Sequence, residues 1–495
     1  MQGTLRITKS TKSHDIIAEI GANLLDVLRN AGVVINAPCG GHGTCGKCVV
    51  HTCMGDKLAC TTIIDEQLLN TEIVVPDTGG MSILAGYESL NPAKCDRNSQ
   101  LPYGIAIDIG TTTLAFEMLD MRNGTRVATF SQANSQREFG ADVMSRITNA
   151  VAGAHAALNA HILEDICGGV RHILDRAGVS TKEVELVAIT GNTTMLHLLL
   201  DLPTDTLGVA PFTPVHIDIK RCRFSDIFGL GLLDCDIIIL PGISTFVGAD
   251  ISAGMLCAGW PNITGNNLLI DLGTNGEMAL FSRDKVVVTS TAAGPAFEGG
   301  NISMGVGSIP GAVAKVRYLP EQNVFSYETI NDATPVGICG TGVVDISAEL
   351  IRHGLVDETG TFESDEDEII IAQNVTFTQR DVREIQLAKS AVRAGVEILL
   401  DIAGVKYNEL SNVFVAGGFG HKIDIDNAIT LGLIPAEFAN RIVILGNSAL
   451  GGCAKVLLSH ASEVDILELV SISKEINLAT HPRFNDMFMD YMGME

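Results

Sequence analysis

The chain is short of positive charge. Lysine and arginine number 33 against 58 aspartates and glutamates, a net charge of −25 over 495 residues. That balance removes the electrostatic basis for binding nucleic acid or an anionic membrane surface. Long apolar runs are also missing: no uninterrupted stretch reaches the ~18 residues that a bilayer-spanning helix needs. The opening MQGTLRITKS lacks the apolar core of a secretory signal. The twelve cysteines do not form a disulfide framework. Cys95, Cys167, Cys222, Cys235, Cys257, Cys339 and Cys453 are scattered and read as small buried hydrophobes, which suits a reducing, cytoplasmic setting. An acidic run, Glu363 to Glu368, reads as a solvated loop. With 46% hydrophobic residues, there is apolar material for several cores.

The densest local feature is NAPCGGHGTCGKC, residues 36–48. Three motifs overlap in it. Gly41, Gly43 and Gly46 make a dinucleotide fingerprint; Gly41, Gly46 and Lys47 nearly make a P-loop; Cys39, Cys45 and Cys48 make a C-x5-C-x2-C cluster. The phosphate readings fail on what is missing. Cys48 stands where a P-loop needs a hydroxyl for magnesium. Both phosphate loops also need a strand before them and a helix after, whereas here Leu24, Leu25, Val27 and Leu28 recur at helical spacing before the loop and Val49 and Val50 follow it. The cluster reading uses the same glycines to fold the chain back and to leave N–H groups facing sulfur. A fourth thiolate is required, and Cys53 and Cys60 are the candidates. Four cysteines also suit zinc, but a repeated C-x2-C pair is absent and the glycine density is high.

The first eighty residues resemble the plant-type and adrenodoxin-type two-iron, two-sulfur ferredoxins. The order is a strand at Thr4 to Thr8, a strand at Ile16 to Ile20, a helix, the cluster loop, the tripeptide LAC ending at Cys60, and a closing Ile73 to Pro76. The resemblance implies a β-grasp ferredoxin domain over residues 1–78 whose 2Fe-2S cluster is held by Cys39, Cys45, Cys48 and Cys60. Only eleven residues separate Cys48 from Cys60, fewer than such ferredoxins usually have, so Cys53 stays open as the fourth ligand.

Residues 79–102 are rich in turn formers and read as a linker. Then YGIAIDIGTTTLAFEML starts a strand, a turn of Asp-Ile-Gly-Thr-Thr-Thr and a second strand, and the pattern returns as NLLIDLGTNGEMALF at Asn267 to Phe281. Each copy continues with a long helical stretch, a strand closing on glycine, a helix, a strand and a helix. This predicts a duplicated α/β body, with halves at 103–262 and 263–495. A strand-Asp-x-Gly-Thr turn exposes N–H groups and hydroxyls that suit phosphate oxygens, and its aspartate suits magnesium held through water. Two such turns, at Asp108 and Asp271, can clamp a nucleotide from both sides. Gly417, Gly418 and Gly420 follow a strand and precede a helix, where backbone can approach a flat adenosine.

The body resembles the actin, sugar kinase and heat-shock-70 superfamily of ATPases (an actin-like, ribonuclease H-like fold) from Tyr103 to about His460. The resemblance implies that Asp108, Gly110, Thr111 and Thr112 form the first phosphate loop and Asp271, Gly273, Thr274 and Asn275 the second. It also gives Gly417, Gly418 and Gly420 to adenosine, and Gly340 and Gly342 to a hinge-proximal segment. The whole chain, including AAGPAFEGGNI at Ala292 to Ile302, resembles the ATP-dependent reductive activators of corrinoid proteins. That implies ATP, Mg2+ and a 2Fe-2S cluster as cofactors, a corrinoid protein of a methyltransferase system as partner, and an upstream low-potential electron donor. Pairing of two chains stays open. Larger members of that family carry an extra domain between ferredoxin and ATPase, for which this linker has no room. Glu277 and Glu298, close to the second phosphate loop, are candidates for positioning the attacking water. The alternatives are a ferredoxin-fused small-molecule kinase, an ATP-switched redox sensor and a plain electron carrier with a vestigial ATPase body.

Overall fold

The computed structural model describes residues 2–9, 12–31, 33, 35, 41, 43, 48–75, 87, 95–417 and 423–494. Among the described residues, the N-terminal strands β1 (Gln2–Lys9), β2 (Lys12–Glu19), β3 (Val49–Thr52), β4 (Gly55–Leu58) and β5 (Glu72–Val75) form one mixed sheet in the order β2-β1-β5-β3-β4. Strand β1 runs antiparallel to β2 and parallel to β5. Helix α1 (Leu24–Asn30) covers the sheet. Asn23 caps it by accepting from the amides of Leu25 and Asp26, and Leu24, Leu25 and Leu28 are buried. These join Leu5, Ile7, Val50, Ile64, Ile73 and Val75 in a core of their own, separate from the rest of the chain.

A first six-stranded sheet combines β6 (Tyr103–Ile109), β7 (Thr113–Asp120), β8 (Arg126–Ala133), β9 (Val184–Gly191), β10 (Lys220–Arg223) and β11 (Asp236–Ile239) in the order β10-β11-β9-β6-β7-β8. Its helices include α2 (Val143–Asn149), α3 (His155–Ala177), α4 (Thr193–Leu199), the short α5 (Asp205–Gly208) and α6 (Phe224–Phe228), and α7 (Ala249–Cys257). The long helical stretch expected after Gly140 is broken. A single π-turn at Ala150–Ala154, with Gly153 at φ +111°, separates α2 from α3.

A second six-stranded sheet repeats the plan with β12 (Asn266–Leu272), β13 (Gly276–Phe281), β14 (Val286–Thr291), β20 (Leu410–Ala416), β21 (Ile442–Gly446) and β22 (Ser473–Glu475), in the order β21-β20-β12-β13-β14-β22. Between β14 and β20 lie β15 (Ala312–Leu319), β16 (Val324–Thr329), β17 (Gly337–Ile338) and the hairpin β18 (Glu368–Ala372) with β19 (Val375–Thr378), together with α8 (Gly340–Arg352) and α9 (Gln379–Ala403). Helices α10 (Ile425–Thr430), α11 (Ser448–Leu458), α12 (His460–Ile472) and α13 (Phe484–Asp490) follow. Glu363 to Glu368 are exposed, the solvated loop expected of them.

The two sheets exchange helices. Leu450, Cys453, Val456 and Leu457 of α11 are buried in the core of the first sheet, although their strand β21 belongs to the second. Val247, Ile251 and Met255, in and just before α7, are buried against Leu269, Phe281 and Phe414 of the second. The two helices cross closely. A Cβ on Gly452 would lie 1.9 Å from the Ala253 carbonyl, and one on Gly254 would lie 2.9 Å from the Ser448 hydroxyl. The buried Lys455 ammonium closes the end of α7 by donating to the carbonyl of Leu256 at 3.0 Å.

The described part of the connection at 79–102 departs from the loose linker expected. Asp96 accepts from the Ser459 hydroxyl at 3.0 Å and the His460 amide at 2.7 Å, which caps α12. Arg97, nearly buried, pairs with Glu463 at 2.8 Å and donates to the Val456 carbonyl. Tyr87 forms a β-bridge with Gly446. The segment 95–102 and Tyr87 are thus part of the α/β body, held by partners more than 300 residues away.

Candidate active site

The two Asp-Gly-Thr turns lie at the ends of equivalent strands. In the first, β6 and β7 are in register with Asp108 opposite Ala115, and the Gly110 amide closes the turn on the Thr113 carbonyl at 2.9 Å. In the second, Asp271 stands opposite Glu277, and the Gly273 amide closes on the Asn275 carbonyl at 3.1 Å. The second turn is one residue shorter, which brings the Glu277 carboxyl beside that of Asp271. Space constrains only the first of these glycines: a Cβ on Gly110 would lie 2.7 Å from the Thr113 carbonyl, whereas Gly273 has room.

The first turn is braced from behind. Asn134 donates its side-chain amide to the Gly110 carbonyl and its backbone N–H to the Thr112 carbonyl, each at 2.9 Å. Asn192, the N-cap of α4, donates to the Thr111 hydroxyl at 2.9 Å. The fully buried Arg146 guanidinium donates to the Thr111 carbonyl and, at 3.0 Å, to that of Gly140. Burial pushes its pKa down to about 9, so it stays cationic at neutral pH behind the turn. In a planar peptide the N–H points opposite to the C=O, so tying the carbonyls back turns amide hydrogens toward the other side. An anion on that side meets donors and a nearby buried cation.

Five carboxyl groups from both sheets converge here: Asp108, Asp271, Glu277, Glu298 and Asp250. Each keeps some solvent contact yet is largely enclosed by protein. Desolvation raises the pKa of all five. Asp108 rises to about 7, with the Asn447 amide, 2.8 Å from Oδ2, opposing and Asp250 adding to the rise. Asp271 rises to about 8 through burial and then the charges of Asp250, Asp108 and Glu298. Asp250 rises to about 6. Glu277 is pushed well above the carboxylate range by burial and by Asp250 and Asp271. Glu298 is raised by burial despite accepting from Thr274 at 2.7 Å and Thr112 at 3.5 Å. It therefore spans the two turns, one hydroxyl from each.

Such a cluster opposes folding when ionised. The folded chain holds protons that the unfolded chain has already released near pH 4, so stability falls as pH rises from there through about 8. For each group the slope inside its window is about 1.4 kcal/mol per pH unit. The thermal midpoint of the nucleotide-free chain is expected to fall from pH 5 to pH 8, and Asp271→Asn is expected to flatten the fall. Calorimetric scans across that range check this; equal slopes in both proteins would contradict it.

Asp250 and Asn447 were not marked by the sequence motifs. Both come from the exchanged helices, Asp250 in the first turn of α7 and Asn447 as the N-cap of α11. A signal was available for Asn447, which directly follows the strand IVILG; Asp250 lies ten residues beyond IIIL, at the start of the next helix. Gly417 follows β20 at φ +103°, and a Cβ there would lie 2.2 Å from the Leu272 carbonyl and 3.1 Å from Asp271 Oδ1. Its lack of a side chain lets the backbone at this residue press on the second turn. Gly418 and Gly420 lie outside the described residues. Gly342 is in the first turn of α8, where a Cβ would lie 2.3 Å from the Val313 carbonyl, so it packs closely on β15. Gly340 opens the same helix.

In the N-terminal domain, Cys48 and Cys60 are buried with their sulfurs 3.2 Å apart. Cys53 sits exposed in the β3–β4 turn. Cys39 and Cys45 lie outside the described residues. Gly41 and Gly43 have positive φ and pass close to Cys60 and Thr61, so the described parts of the loop fold over this thiol pair. Two buried thiols facing each other, with Gly41 and Gly43 close by, fit an iron-sulfur cluster. On the same side, the Arg29 guanidinium donates to the Glu138 carbonyl and lies 5.9 Å from the Phe139 ring centre. Glu138 and Phe139 belong to the turn of 3-10 helix that Asn134 caps. Among the described residues no group of three or more histidine, cysteine or carboxylate side chains is arranged to hold a metal ion.

Comparison with known proteins adds to this geometry. Residues 7–69 match a 2Fe-2S iron-sulfur cluster binding domain, residues 103–261 the RACo middle region, and residues 265–495 the C-terminal domain of RACo, the ASKHA domain. The N-terminal domain is thus a 2Fe-2S ferredoxin domain and the C-terminal part an ATP-binding, actin-like domain. A corrinoid activation enzyme, RamQ, from Eubacterium limosum is 30% identical over 573 aligned positions, covering 94% of this chain and 95% of that protein. A Co(II) methylated amine-specific corrinoid protein reductase from Methanosarcina barkeri is 28% identical, covering 78% and 76%. The solved structure of a reductive activator for corrinoid, iron-sulfur protein superposes with a TM-score of 0.72 at 26% identity, covering 99% of this chain and 98% of that one.

Proposed function

We infer the function from a family premise: this chain belongs to the RACo family of corrinoid-protein activators, and it is an ATP-dependent reductase that returns a Co(II) corrinoid protein to Co(I). The observation that carries the reading is Glu298 accepting from Thr112 and Thr274. The nucleotide site is built across both halves, on a chain that also carries a one-electron centre. ATP then acts as a conformational input and not as a phosphoryl donor to a small molecule. Corrinoid reduction is more demanding than a two-iron cluster readily manages, and a ligand that favours one closed state can shift how the partner is held.

Asp108 and Asp271 take opposite sides of the phosphates, with Gly110, Thr111, Thr112, Gly273, Thr274 and Asn275 as the turns and Gly417, Gly418 and Gly420 beside adenosine. Asp108 and Asp271, with Asp250 beside them, would hold a magnesium ion through water, and the ion would supply positive charge against the phosphates. This accounts for like charges gathered where they oppose folding. Glu277 or Glu298 positions the attacking water; the threonine hydrogen bonds that hold Glu298 favour Glu277. Cys39, Cys45, Cys48 and Cys60 hold the cluster, which when bound supplies electrons singly from an upstream low-potential donor. No helix among the described residues is long and apolar enough to cross a membrane, and we place the protein in the cytoplasm with its corrinoid partner.

The partner is expected to change the rate of ATP hydrolysis, because coupled equilibria are felt at both sites. Hydrolysis measured with and without Co(II) corrinoid protein is expected to differ by about fivefold or more. A rate indifferent to the partner, together with phosphorylation of a small molecule, would favour the ferredoxin-fused kinase.

A further inference from the structure

Arg146 of α2 is a cation that the described parts of the protein leave unbalanced. Its side chain is fully buried, and its hydrogen-bond partners are all neutral: the carbonyls of Thr111 and Gly140, the Gln136 side-chain oxygen at 3.4 Å and the Met195 sulfur at 3.1 Å. Among the described residues it forms no ion pair. Asp142 and Asp165 act on it only through space, because their carboxylates are taken up by the amides of Ser145 and Ser135. A neighbouring guanidinium, Arg137, adds like charge. Taking a lone cation out of water costs free energy unless an anion meets it.

The place for that anion is the far side of the first turn. The carbonyl that Arg146 holds belongs to the peptide joining Thr111 to Thr112, and the N–H of that peptide points the opposite way. Asn134 does the same for the peptide joining Gly110 to Thr111. The two amides presented in this way, those of Thr111 and Thr112, meet no acceptor among the described residues. The second turn is built differently. Its carbonyls at Gly273 and Thr274 receive no hydrogen bond from any described group, and its charged neighbours are the carboxyls of Asp250, Glu277 and Glu298. The two aspartates match; what stands behind the two turns does not.

We propose that Arg146 is the positioning residue that anchors the nucleotide's phosphates at the first turn, aiming the Thr112 amide at them while their charge balances its own across one layer of backbone. The proposal rests on the nucleotide-site reading above, and deepens it by naming the turn that carries its own positive charge. Arg146 touches no phosphate; it acts through the Thr111–Thr112 peptide. The phosphate charge it faces is present before hydrolysis as well as during it, so its contribution falls on nucleotide binding and not on turnover.

The test uses the full-length, cluster-loaded protein in excess Mg2+ and two variants. Arg146→Met keeps an unbranched side chain and removes the charge. Gln136→Glu keeps Arg146 and its hold on Thr111 but sets a carboxylate against the guanidinium, so that the charge is balanced from within. Binding of ADP and of adenosine is measured by titration calorimetry, and KM and kcat for Mg-ATP by steady-state hydrolysis. In both variants the affinity for ADP is expected to fall by about tenfold or more and KM to rise with it, while adenosine affinity and kcat stay within about threefold. A folded variant that binds ADP as tightly as the parent would overturn the proposal. Equal losses for ADP and adenosine would overturn it too, because they mark a residue that only supports the fold. If Arg146→Met does not fold, Gln136→Glu decides alone. Failure of the unaltered chain to bind ADP would instead strike the nucleotide site itself, and Arg146 with it.

Discussion

Asp108→Ala and Asp271→Ala are each expected to lower Mg-ATP hydrolysis by about a hundredfold or more, the cost of removing one preorganised electrostatic contact to a transferring phosphoryl group. The two losses should be similar because each aspartate heads one of two equivalent turns and neither half closes the site alone. The cluster spectrum should be unaffected, since the ferredoxin core shares no residue with the cores of the body. A second consequence separates this from simple damage. Asp271 sits opposite Glu277 and near Asp250, so removing its charge relieves repulsion, and the nucleotide-free variant should be at least as heat-stable as the parent at pH 8. Steady-state hydrolysis and thermal scans on the same preparations read both effects. Full activity in either variant would disprove a two-sided clamp. Loss of activity together with loss of stability would show that the aspartate supports the fold.

Cys60→Ser is expected to abolish the normal cluster or shift its spectrum, and with it Co(I) formation, while leaving ATP hydrolysis near the parental rate. Cys53→Ser should change neither. The reason is geometric: the Cys60 sulfur lies 3.2 Å from that of Cys48 in the interior of the domain, whereas Cys53 is exposed on the far hairpin. The parent should carry about two iron and two sulfide per chain, as a 2Fe-2S centre requires. Visible absorption, electron paramagnetic resonance of the reduced protein and iron analysis read this. A normal spectrum in Cys60→Ser with loss in Cys53→Ser would reassign the fourth ligand. Zinc in place of iron after anaerobic preparation would remove electron transfer from the mechanism.

The parts of this molecule that could be read from sequence are those whose chemistry is local. A strand, an aspartate, a glycine and a threonine in a row carry their own turn, and finding the row twice, at Asp108 and Asp271, was enough to expect two related halves. Glycines and cysteines between 39 and 60 likewise announced a cluster loop. What escaped notice depends on distance along the chain. Asp250 reaches Asp271 and Glu277, and Asn447 reaches Asp108, only because α7 and α11 cross between the sheets; no short motif encodes that exchange. Arg146, Asn134 and Asn192 brace the first turn from three separate segments, and each is an ordinary polar residue until the fold buries it. The connection was misjudged for a related reason. Turn formers around residues 95–102 signalled an irregular backbone, which it has, but irregular backbone can still be tied down, here by Asp96 and Arg97 on α11 and α12.

The most direct measurement is the absorbance of Co(I) in a mixture of cluster-loaded protein, reductant and Co(II) corrinoid protein, followed anaerobically with and without Mg-ATP. Co(I) is expected to accumulate only when ATP is present, and to fail with Asp108→Ala, Asp271→Ala or Cys60→Ser in place of the parent. Equal Co(I) formation with and without ATP would contradict ATP-coupled reduction and leave a plain electron carrier.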